Sequence, residues 1–100
     1  MKISKGHTVI AILESINGEE EVVKNALMQV AASCRAEISC LEYRLHQNKT
    51  NPAQFVLYEN WESSDLHQEQ FKKSYIIDFG KKIKPLLAKP YQVIFANELV

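Results

Sequence analysis

The chain has 100 residues, 46% of them hydrophobic and 24% charged, which suits one folded domain and is too apolar for a disordered tract. Twelve basic residues balance twelve acidic ones, so no electrostatic footprint for nucleic acid or an anionic membrane surface is present. The longest early apolar stretch, Val9 to Leu13, is far too short to cross a bilayer.

His7 to Glu14 reads as the first strand, with Val9, Ala11 and Leu13 facing one way and Thr8, Ile10 and Ile12 the other. Both faces are apolar enough to need cover. Ile16-Asn17-Gly18 is a turn in which Gly18 is free to take positive φ. Glu19, Glu20 and Glu21 then place negative charge at a helix start, where the macrodipole favours it. That helix is expected to run to Glu37, with Val23, Ala26, Leu27, Val30 and Cys34 as its apolar stripe. A second strand spans Ile38 to Gln47, setting Leu41, Tyr43 and Leu45 against Cys40, Glu42, Arg44 and His46. The polar cluster Asn48 to Pro52 joins it as a hairpin to a third strand, Gln54 to Trp61. There Phe55, Leu57, Glu59 and Trp61 share one face, and Val56, Tyr58 and Asn60 the other. Ser63 or Ser64 caps the next helix, with Asp65 in its first turn. Its pattern continues through Ile76, Phe79, Ile83 and Leu87, with a kink expected near Gly80. Lys84-Pro85 and Lys89-Pro90 are expected to end it, because residues before proline avoid the α region. Tyr91 to Asn97 is the last strand.

This order, β-α-β-β-α-β, predicts an α+β domain of ferredoxin-like type over residues 1–100. Two helices cover one face of a four-stranded sheet. The other face, carrying Ile10, Ile12, Val56 and Tyr58, needs its own cover, and a second copy of the chain is the simplest one. A homodimer is therefore expected. Cys34 and Cys40 are too few for a disulfide framework and are read as reduced thiols. Lys2 and Lys5 before an apolar stretch resemble a secretory leader, but that stretch runs straight into Glu14 without a cleavage site. The expected location is the cytoplasm.

Glu59 is the most informative residue. Strand parity puts its carboxylate on an apolar face, where it must be paired or have its pKa raised. A raised carboxyl can act as an acid or base; the structural alternative is a strand-end residue bonded to backbone or a lysine. Trp61, the sole tryptophan, either lines a site or fills a sheet–helix seam. Tyr43 could line the same cavity, or be a core tyrosine with a satisfied hydroxyl. His7, ahead of the first strand, reads as a surface residue, and His46 belongs to a polar patch with Glu42 and Arg44. His67, just after Trp61, is either a general base or a surface helical histidine. The lysines at 72–73, 81–82 and 84 surround Asp78 and read as a solvated helix face. Metal-ligand spacings, phosphate loops, nucleophile elbows and dinucleotide fingerprints are all missing from the sequence, so neither a metal nor a flavin or nicotinamide is expected.

Ser39-Cys40-Leu41-Glu42-Tyr43 and Phe55-Val56-Leu57-Tyr58-Glu59-Asn60-Trp61-Glu62-Ser63, joined by a polar hairpin and followed by a helix, resemble the antibiotic biosynthesis monooxygenase family. That resemblance implies a dimeric α+β barrel with a pocket between sheet and helices in each subunit. It also implies chemistry without a cofactor, on quinols or polyketide phenols, although other branches degrade haem or isomerise a phosphorylated signal. The haem branch uses a first-strand asparagine and a histidine ten residues after the tryptophan. Here no such asparagine occurs, and Phe71 takes the histidine's place. The broader family pattern has a histidine nine residues after the tryptophan, where this chain has Gln70, an amide that exchanges no proton near neutrality.

The expected function is cofactor-independent oxygenation of a small electron-rich aromatic by dioxygen. Glu59 or His67 would be the base, and Trp61, Tyr43 and Gln70 would hold the substrate, with His67 expected to do the work of the missing family histidine. The alternatives are an isomerase of a small carbonyl compound using the same carboxylate, and a non-catalytic dimeric ligand-binding module.

Overall fold

The computed structural model describes residues 6–100; the expectation for Lys2 and Lys5 lies outside them. Four strands form one antiparallel sheet in the order β2-β3-β1-β4, where β1 is His7–Glu14, β2 Cys40–Gln47, β3 Gln54–Trp61 and β4 Gln92–Ala96. With α1 (Glu20–Arg35) after β1 and helices after β3, this is the ferredoxin-like arrangement that the element order predicts.

Local chemistry sets the ends of these elements. Gly18 turns the chain at φ +93°, a conformation costly for any residue with a Cβ. Glu20 and Glu21 sit in the first turn of α1 and Arg35 in its last, both in the sense the dipole favours. Ser63 caps α2 (Ser64–Gln70), its side chain accepting a hydrogen bond from the Leu66 amide. The expected α1 stripe of Val23, Ala26, Leu27, Val30 and Cys34 is buried throughout, and Val23, Leu27, Val30 and Cys34 share one core with Val9, Leu13, Phe55 and Leu57 of the sheet.

Three local expectations need correction. The second helical stretch does not kink at Gly80, which lies inside α3 (Ser74–Ile83); the chain breaks earlier, at 71–73, between α2 and α3. The break is tied down: Lys73 Nζ and Tyr75 OH both donate to the Glu37 carboxylate at 2.8 Å. Nor does Pro85 stop the helix at once. Lys84 keeps helical angles (φ −52°, ψ −47°) and the chain tightens into a 3-10 turn, Lys84–Leu86. Finally, Cys40 pairs with Trp61 but Glu42 pairs with Asn60, so Leu41 is the extra residue of a β-bulge. Beyond that bulge the parity of β2 reverses. Cys40, rather than the half-exposed Leu41, joins Tyr43 and Leu45 against the core.

All helices lie over one sheet face. The opposite face carries the half-buried Ile10, Ile12, Val56 and Tyr58 next to a polar network. In that network Thr8 Oγ1 donates to Asn60 Oδ1, and Asn60 Nδ2 donates to Tyr58 and Glu42, the latter also held by Arg44. No helix among the described residues is long and apolar enough to cross a membrane.

Candidate functional site

The helix-covered face of the sheet is filled only on one side. Between β1, β3 and β4 below and α2, the break and α3 above lies a cavity of about 880 Å³. Its walls are mainly apolar, from Val9, Ala11, Leu57, Ile76, Phe79 and Phe95. Against that background the polar groups stand out: Glu59, His67, Gln70, Tyr43 and Cys34 all line it, together with Trp61. The topology explains the convergence. Antiparallel register places Glu59 between Val9 of β1 and Tyr43 of β2, and α2 starts immediately after Trp61, hanging His67 and Gln70 over the strand end.

Glu59 is 7% exposed, and its Oε1 accepts a 2.7 Å hydrogen bond from Trp61 Nε1. Burial pushes its pKa up to about 7, opposed by the indole hydrogen bond that favours the anion. The strand-end alternative therefore fails: this carboxyl is inside, and its partner is the indole. His67 Nε2 stands 3.8 Å from the same oxygen. Burial, with a contribution from the neighbouring His7, pushes the imidazole down to about 4, so it is neutral at physiological pH. His67 is 5% exposed, which rules out a surface histidine. At pH 7 the site thus holds a carboxyl near its midpoint beside an uncharged imidazole.

Gln70 is also buried, but it is occupied. Its Nε2 donates to Tyr75 OH at 2.8 Å and approaches Cys34 Sγ at 3.9 Å. Tyr75 in turn donates to Glu37, so Gln70 belongs to a chain of hydrogen bonds that secures the helix break against the end of α1. Desolvation together with the Glu59 charge drives both Tyr43 and the Cys34 thiol away from ionisation, Cys34 to about 12. Neither supplies an anion near neutrality. Trp61, at 1% exposure, fills the core and donates its Nε1–H to the Glu59 carboxylate.

The sequence reading missed His7. It lies on the same face as Trp61, its register partner, with its ring 5.1 Å from His67 and 4.9 Å from Phe95. The signal was available, because His7 shares strand parity with Val9 and Ala11. Lys81, Lys84 and Lys89 also line the cavity, so part of the basic run borders the site rather than facing solvent alone. Among the described residues no group of three His, Cys, Asp or Glu side chains could hold a metal ion.

Comparisons with known proteins bear on the family and the fold. Residues 7–79 match the family model described as antibiotic biosynthesis monooxygenase. An uncharacterised protein of Synechocystis is 29% identical over 59 residues, and the match spans 40% of that protein's length. Among solved structures, PA3566 from Pseudomonas aeruginosa superposes with a TM-score of 0.91 at 24% identity, over 100% of both chains. Rv0793 from Mycobacterium tuberculosis gives 0.88 at 21% identity over 95% of this chain and 96% of its own. A structure described as an antibiotic biosynthesis monooxygenase gives 0.89 at 18% identity, over 94% and 99%. At these identities the structural likeness speaks for the fold.

Proposed function

The chain belongs to the antibiotic biosynthesis monooxygenase family, and from that premise we propose that it oxygenates a small electron-rich aromatic, such as a quinol, with dioxygen and no cofactor. The observation that carries this reading is Glu59: a buried carboxyl with a pKa of about 7, at the floor of an apolar cavity large enough for an aromatic ring. A base poised near the working pH is what proton abstraction from a phenol requires.

Glu59 takes the substrate's proton. The resulting anion passes one electron to dioxygen, and the radical and superoxide combine to form a carbon–oxygen bond. The peroxide then takes up a proton. Where the attacked ring carbon carries a hydrogen, loss of that hydrogen with the outer peroxide oxygen as water leaves one oxygen in the product and sends the other into water. The apolar walls protect the radical pair, and a dry site strengthens the electrostatics that hold the anion. Trp61 steadies the carboxylate through its Nε1–H. Tyr43 and Cys34 form the cavity wall under the ring as neutral groups. Gln70 acts indirectly, by fixing the helix break.

An oxygen electrode with a panel of quinols and polycyclic phenols, on protein assayed free of flavin and metal, tests the reading. Substrate-dependent oxygen uptake that Glu59→Gln abolishes supports it. Tight binding without uptake by any compound points to a ligand-binding module. The same carboxylate could also isomerise a small carbonyl compound, and turnover without oxygen uptake would identify that activity. We further propose that the helix-free sheet face pairs with a second copy, which would bury Ile10, Ile12, Val56 and Tyr58. Val56→Arg then dissociates or unfolds the protein, since it would bury an unpartnered charge; light scattering that finds a folded dimer in this variant refutes the assignment.

A further inference from the structure

His67 sits in a cage of rings: His7 at 5.1 Å, Phe71 at 5.2 Å, Trp61 at 5.4 Å and Phe95 at 6.0 Å between centroids. Its Nε2 faces Glu59, while its Nδ1 is buried with no hydrogen-bond partner. Among the described residues one other buried side-chain polar atom shares that condition, and it is Nε2 of His7, in the adjacent ring. A buried polar atom left without a partner costs on the order of 1–3 kcal/mol, so two in touching rings form a place where a proton can pass. The two atoms are complementary: in neutral imidazole one nitrogen donates and the other accepts, so a modest ring rotation sets an N–H of one against a lone pair of the other.

We propose that His7 is the outer member of a proton path, Glu59 to His67 to His7, linking the cavity floor to solvent. The proposal rests on the reading of Glu59 as the base. His7 opens β1, is only partly buried, and its ring meets that of His67. The remaining members of the cage, Trp61, Phe71 and Phe95, carry no group that exchanges a proton near neutrality. Of the groups in contact with His67 from β1, β3, β4 and the segment after α2, Glu59 and His7 are the ones with a side chain able to carry a proton onward.

The path answers a kinetic requirement. A proton left on Glu59 returns to the substrate anion before the slower transfer of an electron to dioxygen. Passing it on removes that return. The Glu59 proton goes to His67 Nε2, His67 gives its Nδ1 proton to His7 Nε2, and His7 releases one to water from its other nitrogen. When the peroxide needs a proton, the same steps run inward and restore both tautomers.

The test is nitrogen-15 NMR of histidine-labelled protein, with steady-state kinetics beside it. In His7→Phe, which keeps a ring beside Phe95, exchange of the His67 ring proton with solvent slows by roughly tenfold or more, a conservative figure for losing one positioned proton carrier. His7→Gln slows it likewise. On a substrate, kcat falls while KM holds, and added imidazole restores kcat, which a merely structural role would not produce. Unchanged His67 exchange in either folded variant overturns the path. If both variants unfold, the wild-type titrations decide: coupled shifts at His7 and His67 support the path and independent ones refute it. Should no substrate ever turn over, the exchange measurement still judges the path, and the failure falls on the reading of Glu59 instead.

Discussion

The two halves of the helix-covered sheet face are built from the same residue types to opposite ends. Where α1 meets the sheet, Val23 and Leu27 of the helix are fully buried and Phe55 of β3 is 1% exposed, so these side chains interlock. Under α2 and α3, Val93 is 42% exposed and Phe95 58%, although both point to the same side of the sheet. The difference lies above the sheet. One continuous helix of 16 residues covers the first half, whereas two short helices split at 71–73 bridge the second and hold their distance. Apolar residues thus make a core where a straight helix can settle on them, and a cavity wall where it cannot. The titratable pair Glu59 and His67 belongs to the hollow half, where burial strips away water without supplying full hydrogen-bonding partners.

The largest expected effect contrasts truncations in the two halves. Leu27→Ala should cost about 2–5 kcal/mol, as a buried leucine deletion does, and leave ligand affinity unchanged. Phe95→Ala should cost less than about 1 kcal/mol, being already solvated, and should weaken binding of an aromatic ligand. Chemical denaturation and ligand titration read both, and equal losses of stability would erase the distinction between the halves.

Next in size is Glu59→Gln. A folded pKa of about 7 against an ordinary 4.5 means that the unfolded chain gives up this proton first. The folded state therefore loses stability as pH rises from 4.5 toward 7, by up to about 3 kcal/mol for a shift of that size. Above pH 7 the glutamine variant should melt higher than the wild type while losing all turnover. A lower melting temperature at pH 8 would show that the carboxylate holds the structure together. His67 slopes the other way: with a folded pKa of about 4, it costs stability as pH falls below 6.5.

Activity against pH sharpens this further. The raised carboxyl places the acid limb near pH 7, with turnover falling below it as Glu59 takes up its proton. Had His67 been the base, that limb would lie near pH 4. The smallest effect expected is from Trp61→Phe, which removes the 2.7 Å hydrogen bond to Glu59 and so moves the limb upward. A downward or absent shift would mean that the indole serves packing alone.

Much of this was legible in the residues because strand alternation is a local signal. The limits of β1 and β3 read from the sequence coincide with those in the structure, and Glu59 declared itself as the one charge on an apolar strand face. Gln70 was recognised as a departure from the family pattern, but its engagement with Tyr75 was not, because the two meet across the helix break. The break itself escaped notice because Gly80 offered a more obvious weak point, while what fixes the true one is Glu37, distant in the chain. His7 was passed over for a similar reason: an imidazole at a strand's first residue looks exposed until β4 and α2 close on it.

The bulge at Leu41 carries a last consequence, for anyone redesigning the cavity wall. It works as a phase shift within a single strand: inward positions count in twos from Tyr43 toward Leu45, and restart at Cys40 on the other side. A substitution chosen by plain alternation at Leu41 would land in solvent and leave the ligand untouched. Cys40, one residue earlier and paired with Trp61, packs against the core behind the cavity, and Tyr43 is the residue through which β2 enters the cavity wall.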